Sequence, residues 1–269
     1  MLVEGKRALV TGSSRGIGRG IAIRIAEQGA SKVGITYLAQ HEAAEETLAA
    51  VRAAGAEGFV VQGDVTKPEE IRRMFERTRQ EMGGLDILVS HARGELGLFY
   101  EPPETISLAQ FEYAFDSQGR AFHLAVREAS PLLSDGGRIV AVTCSPSART
   151  GSWQPWAAMG AAKAALESLC HYWAVALAER GITVNAVSPG ATEDNVLSRL
   201  PAETFDTVRR SHEGGWTPMR RLTTPADVGN AVVLLCSDLA GFVTGQVLHV
   251  DGGASVMDPV FPLALQGLG

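Results

Sequence analysis

The chain has 269 residues, 45% hydrophobic and 20% charged, an ordinary balance for a globular protein with one α/β domain or two smaller ones. Its net charge of −6 argues against a nucleic-acid partner, which favours a basic face. No apolar run approaches the roughly 20 residues that span a bilayer, so no membrane partner is expected.

From the N-terminus, Met1-Leu-Val-Glu-Gly-Lys-Arg7 shows no secretory leader and runs into a first apolar, β-rich run at Ala8-Leu-Val10. Further runs follow at Lys32–Tyr37, Gly58–Gln62, Leu85–Val89, Arg138–Thr143, Ile182–Val187 and Gln246–Val250. Each is short and nearly continuously hydrophobic, the mark of strands buried on both faces of a parallel sheet. Helical stretches separate them at about 16–29, 41–54, 68–82, 107–130, 159–180 and 225–239, with Gly29, Gly55 and Gly181 where helices stop. Alternation without a linker or repeat predicts α/β class: a single doubly wound Rossmann-like domain over 1–269 with a parallel seven-stranded sheet. Three widely spaced cysteines, Cys144, Cys170 and Cys236, fit free thiols in a reducing cytoplasm, with no disulfide framework and no metal site. The apolar tail after Gly253 reads as an oligomer contact or a loose end.

The first strand leads into Thr11-Gly12-Ser13-Ser14-Arg15-Gly16-Ile17-Gly18. Glycines at 12, 16 and 18 permit a tight turn and let backbone N–H groups approach a pyrophosphate at the start of the next helix. Any strand-to-helix turn can use glycine; a nucleotide is indicated by the position after the first strand of an alternating series. The second strand ends Ile35-Thr36-Tyr37-Leu38 without the carboxylate that an NAD site offers the ribose 2′-OH. Arg15 is placed to meet a 2′-phosphate, so NADP(H) is the cofactor expected. Lys6, Arg19 and His41 are other cations near this end, and a solvated loop charge is the alternative for Arg15.

With Asp64-Val65 after the third strand, Asn185-Ala-Val-Ser-Pro-Gly190 after the sixth, and Thr244-Gly-Gln and Val250-Asp-Gly-Gly253 near the end, the chain resembles the short-chain dehydrogenase/reductase family from residue 4 to about 255. The resemblance implies a nicotinamide-dependent oxidoreductase. Gly12, Ser14, Arg15, Gly16, Ile17 and Gly18 would hold the phosphates, Asp64 would touch the adenine and Val65 would wall it. Ala92 would line the cofactor edge, and Pro189, Gly190 and Thr192 would meet the nicotinamide end. A turn residue capping the following helix is the alternative for Asp64.

The family works through an Asn–Ser–Tyr–Lys tetrad. Lys163 matches the lysine, whose ammonium would hold the nicotinamide ribose and lower a neighbour's pKa. The tyrosine has no counterpart: Tyr37, Tyr100, Tyr113 and Tyr172 all lie outside Gly151–Lys163. Four residues before the lysine, its place in most relatives, stands Met159. Seven before, its place in the enoyl-acyl-carrier-protein reductase branch, stands Trp156, and Met159-Gly160 between them resembles that branch. An indole N–H donates a hydrogen bond but does not give up its proton, so Trp156 polarises a carbonyl without acting as a general acid. A core or wall aromatic is the other option. Ser145, then Ser147, are the candidates for the serine; Cys144 adjoins them, and a nucleophilic thiolate is disfavoured because no histidine is adjacent. Asp116 stands for the asparagine. His91 and Arg93 reach the cofactor edge, His91 as a structural residue or as a replacement acid.

Changes at three tetrad positions disfavour ordinary ketone reduction, whose alkoxide needs prompt protonation. An α,β-unsaturated thioester yields an enolate that can be protonated later, and an iminium is already charged; an unpaired Asp116 would suit the latter. The expected function is an NADPH-dependent reductase of an activated, enoyl-thioester-like double bond in a small-molecule substrate. That substrate would lie between the Gly94–Pro103 loop and a lid at 192–218 carrying Trp216, Pro218 and Met219. The rivals are a non-redox cyclase or isomerase that retains NADP, and a non-catalytic binding protein. Phe111, Phe115, Phe122, Leu169 and Trp173 on the helices at about 107–130 and 159–180 point to a homotetramer or homodimer.

Overall fold

The hydrophobic runs become parallel strands because their alternate side chains enter two different cores. The computed structural model describes residues 1–144, 154–193, 197, 201–258 and 263. Among them lie β1 (Arg7–Val10), β2 (Lys32–Tyr37), β3 (Glu57–Gln62), β4 (Leu85–Ser90), β5 (Leu133–Val142), β6 (Thr183–Pro189) and β7 (Val247–Val250). They form one sheet in the order β3-β2-β1-β4-β5-β6-β7, every pair parallel. Ala8 and Val10 join the core on one face while Leu9, between them, joins the core on the other. In β5, Val140 and Val142 likewise oppose Ile139 and Ala141.

Helices cover both faces. α1 (Gly16–Glu27), α2 (His41–Ala53) and α8 (Pro225–Cys236) pack on one; α3 (Pro68–Met82), α5 (Ala121–Ala129) and α6 (Ala157–Ala176) pack on the other. α1 and α8 cross closely because Gly20 faces Pro225; a Cβ on Gly20 would stand 2.6 Å from that proline's Cβ. A capping box starts α8, where Asp227 accepts the backbone N–H of Thr224 at 2.9 Å. The result is a single α/β domain of the Rossmann kind.

Four expectations shift. The helix expected over 107–130 is α4 (Leu108–Phe115), a π turn at Asp116–Arg120, and α5. The final stretch expected of the 159–180 helix is a separate 3₁₀ turn at Ala178–Arg180. Within the proposed lid, α7 (Ala202–Ser211) is a helix that hydrophobic periodicity missed, since none of its residues is fully buried. Phe122, expected at a subunit surface, is instead fully buried on the core-facing side of α5, whereas Phe111, Tyr172 and Val175 are exposed. No helix among the described residues is long and apolar enough to cross a membrane.

Candidate active site

The strand order reverses direction between β1 and β4, and in such sheets ligands sit beyond the carboxyl ends of the strands at the switch point. A cleft of about 320 Å³ opens there, bordered by the glycine turn, the ends of β2 and β3, and the loop after β4. Thr11 ties its floor together: its Oγ1 accepts the backbone N–H groups of His91 (2.9 Å) and Ala92 (3.1 Å). Gly12 has φ +66°, and a Cβ there would stand 2.7 Å from the Ala92 Cα, so both conformation and space demand glycine. A Cβ on Gly18 would meet the His91 ring at 2.7 Å. Arg15 forms the N-cap of α1 with no side-chain cap, and the first turn holds no acid. The orphan N–H groups and the positive end of the helix dipole are therefore available to an anion.

The residues expected at the cofactor rim gather here. Ser14, Arg15, Gly16, Ile17, Asp64, Val65 and Ala92 all line the cleft, with Tyr37, Leu38, Ala39 and Gln40 from the end of β2. Arg19 is paired with Glu46 at 3.2 Å, and His41 packs against Tyr37 with the rings tilted at 44° and their centroids 5.2 Å apart. Lys6 precedes β1, at the amino end of the strands and so opposite the end where the cleft opens. Arg15 makes no ion pair among the described residues. Asp64 borders the cleft, and its Oδ1 accepts from the Thr66 N–H (2.9 Å) and Oγ1 (2.7 Å) in the turn before α3, whose N-cap residue is Lys67 and carries no side-chain cap. At the far side, the Gly190 N–H donates to the Val250 carbonyl at 3.0 Å, and Thr192 Oγ1 donates to the Gly190 carbonyl at 2.9 Å. Pro189 ends β6 beside them.

Lys163 is only 7% exposed, and its Nζ donates to the Val142 carbonyl at 2.5 Å. Burial lowers its pKa to about 8; Arg93 adds to the fall, while Cys144, Glu167 and Cys170 oppose it. Trp156 Nε1 donates to the Cys144 sulfur at 3.4 Å. The indole also meets Phe99 and Tyr100 edge-on, at 5.4 and 6.2 Å between centroids. Burial pushes the Cys144 thiol up, against the pull of Lys163 and the Trp156 N–H. One turn beyond the lysine, Glu167 accepts from Thr143 Oγ1 at 2.5 Å. Met159 is fully buried in a cluster with Phe99, Ala114, Ala158 and Ala162.

The enoyl-(acyl carrier protein) reductase family model matches residues 12–255. The chain is 35% identical over 263 residues to 1-cyclohexenylcarbonyl-CoA reductase of Streptomyces collinus, covering 94% of this chain and 88% of that one. Versicolorin reductase 1 of Aspergillus parasiticus is 34% identical over 260 residues, with 94% and 97% covered. The chain belongs to the short-chain dehydrogenase/reductase family. A short-chain dehydrogenase from Burkholderia cenocepacia J2315, solved in complex with NADP, superposes with a TM-score of 0.85 at 32% identity, covering 94% and 99% of the two chains. A short-chain dehydrogenase/reductase from Serratia marcescens BCRC 10948 gives the same TM-score at 29% identity, with 95% and 100% covered.

As a short-chain dehydrogenase/reductase, the chain is an oxidoreductase, and a nicotinamide cofactor is what its cleft must admit. The uncapped α1 terminus and the Cβ-free cradle at Gly12 and Gly18 fit a pyrophosphate. His91 Nδ1, buried without a partner among the described residues, marks polar capacity beside that cradle. One expectation is corrected, and one of two alternatives falls away. Asp116 is not an unpaired carboxylate: it lies 3.0 Å from Arg120, one turn along the π segment, and forms no ion pair with Lys163. His91 is not a neutral-pH acid, because burial, with Lys163 and Arg93 nearby, lowers its pKa to about 3 and leaves the imidazole uncharged. Ser145 and Ser147 lie outside the described residues. Sequence missed Tyr113, which borders the cleft and whose hydroxyl accepts the Glu95 N–H at 3.1 Å. Its position on α4 carries no motif.

Proposed function

We propose that the chain is an NADPH-dependent reductase of an activated carbon–carbon double bond of the enoyl-thioester kind. The observation that carries this is the buried Lys163 set beside a Trp156–Cys144 pair, on a helix start without a tyrosine. Preference for NADPH is supported by Arg15, which borders a cleft whose β2 end offers no carboxylate. The phosphates would rest on Gly12, Ser14, Gly16, Ile17 and Gly18, and the adenine between Asp64 and Val65. Ala92, Lys163, Pro189, Gly190 and Thr192 would hold the nicotinamide end. A bound reduced nicotinamide supplies a hydride equivalent to the substrate. Lys163 orients the ribose, and Trp156, backed by the buried Phe99, walls the substrate pocket with Tyr100. The Gly94–Pro103 loop and the lid at 192–218, of which 194–196 and 198–200 lie outside the described residues, would exclude water, with α7 and the exposed Trp216 on the lid. The Asp116–Arg120 pair removes the lone carboxylate that an iminium would need, which favours the thioester over the iminium. The same account has a cytoplasmic homotetramer or homodimer.

Steady-state NADPH oxidation by wild type, Lys163→Ala and Trp156→Tyr, offered an enoyl thioester, an iminium and a simple ketone, tests the proposal. Wild type should turn over the enoyl thioester fastest, Lys163→Ala should lose that rate, and Trp156→Tyr should gain ketone reduction. No turnover with any class would favour the non-redox cyclase or isomerase, or the binding protein.

A further inference from the structure

Saturating a conjugated double bond consumes one proton for every hydride, and the proton must come from a group able to release it. Trp156 is excluded because an indole keeps its N–H at working pH, and that N–H is already directed to sulfur. His91 is buried as the neutral imidazole, whose remaining N–H is not released near neutral pH, and Asp116 is ion-paired with Arg120. Cys144 differs from all three. It follows β5 at the carboxyl edge of the sheet, where ligands bind in this fold class. A sulfur that accepts the Trp156 N–H at 3.4 Å retains its own S–H for donation elsewhere. The strand residue two before it holds the Lys163 ammonium at 2.5 Å, so a positive charge waits beside the sulfur.

We propose that Cys144 is the proton donor of this active site, its thiol positioned by Trp156 and its conjugate thiolate neutralised by Lys163. The assignment rests on the reductase function proposed above. The hydride equivalent adds to the β-carbon of the enoyl thioester, and the π electrons move onto the α-carbon and carbonyl oxygen as an enolate. The S–H bond of Cys144 then breaks, its proton forms the new C–H bond at the α-carbon, and the electron pair stays on sulfur. Lys163 returns a proton to the thiolate, and solvent reprotonates Lys163. The substrate gains two electrons and two hydrogens, the nicotinamide is oxidised, and both side chains end as they began.

The charged and titratable neighbours fit a donor better than a nucleophile. Lys163 and Glu167 face Cys144 from α6, and Trp156 from the turn before it; Arg93 and His91 from the β4 loop, with Glu167 and Cys170, surround Lys163. Burial keeps the thiol protonated near neutral pH, while the ammonium stabilises the thiolate once the proton has left.

Two measurements test the assignment. In cofactor-free protein, the pH dependence of Cys144 alkylation by iodoacetamide, followed by mass spectrometry, should shift to higher pH in Lys163→Met and in Trp156→Phe. An unchanged midpoint in both would overturn the coupling. With NADPH and an enoyl thioester, Cys144→Ala should lose roughly 10²-fold or more in kcat, the usual contribution of a general acid, at unchanged NADPH affinity. Cys144→Ser should keep more rate than Cys144→Ala. Wild-type turnover with full activity in Cys144→Ala would refute the donor role and leave the reductase standing. Absence of wild-type turnover would overturn both together.

Discussion

Replacing Lys163 with methionine removes a charge that the fold holds almost entirely out of water. Its folded pKa of about 8 lies below the ordinary 10.5, so between these values the unfolded chain binds more protons and stability rises with pH. Below about 8 the ammonium is charged in both states and its burial burden is complete; above 10.5 the burden is gone. At about 1.4 kcal/mol per pKa unit the difference corresponds to about 3 kcal/mol, lost progressively between pH 8 and 10.5. Methionine keeps the length and apolar stem but carries no charge. Urea unfolding of cofactor-free wild type and Lys163→Met at pH 7 and pH 10 measures the effect, because titrations remote from Lys163 are shared and only the groups coupled to it, Cys144 and His91, differ besides. Wild type should gain about 2–3 kcal/mol on the variant between the two conditions. Parallel behaviour at the two pH values would refute the buried ammonium, and with it the electrostatic link between Lys163 and Cys144.

Arg15→Ala should weaken NADPH binding by about 1–3 kcal/mol and leave NADH nearly unchanged, as titration of both cofactors would reveal; equal losses would contradict the 2′-phosphate role. Met159→Tyr forces a hydroxyl into the cluster around Phe99 and should lower stability by about 1–3 kcal/mol, whereas Trp156→Tyr, at a half-buried site, should cost less in a thermal melt. Sedimentation at micromolar concentration should give a dimer or tetramer, with the exposed Phe242, Leu239, Tyr172 and Val175 available for contacts; a monomer would contradict the assembly.

Much of the fold was legible because buried parallel strands write themselves as unbroken apolar runs. β2 falls at Lys32–Tyr37 as expected, since both flanks carry turn residues and both faces are covered. The glycine turn was legible too: Gly12 and Gly18 are dictated by close approach to the Ala92 Cα and the His91 ring, a constraint that their spacing expresses. The catalytic end was less so. A motif indicates which positions converge but not where each side chain turns, and Asp116 turned to Arg120 because a π turn places them together. The Trp156–Cys144 hydrogen bond joins residues in separate elements, and no local pattern encodes it. The π turn itself hides inside a continuous helical periodicity, which is why one long helix was expected across Asp116–Arg120.

The most direct test of the central claim follows hydrogen itself. An enoyl thioester is incubated with the protein and NADPH carrying deuterium at the transferable C4 position, and the product is examined by mass spectrometry and NMR. The account requires a saturated thioester with one deuterium at the β-carbon and a solvent-derived hydrogen at the α-carbon. Labelled cofactor that remains bound and intact, while no deuterium enters the thioester, would contradict it.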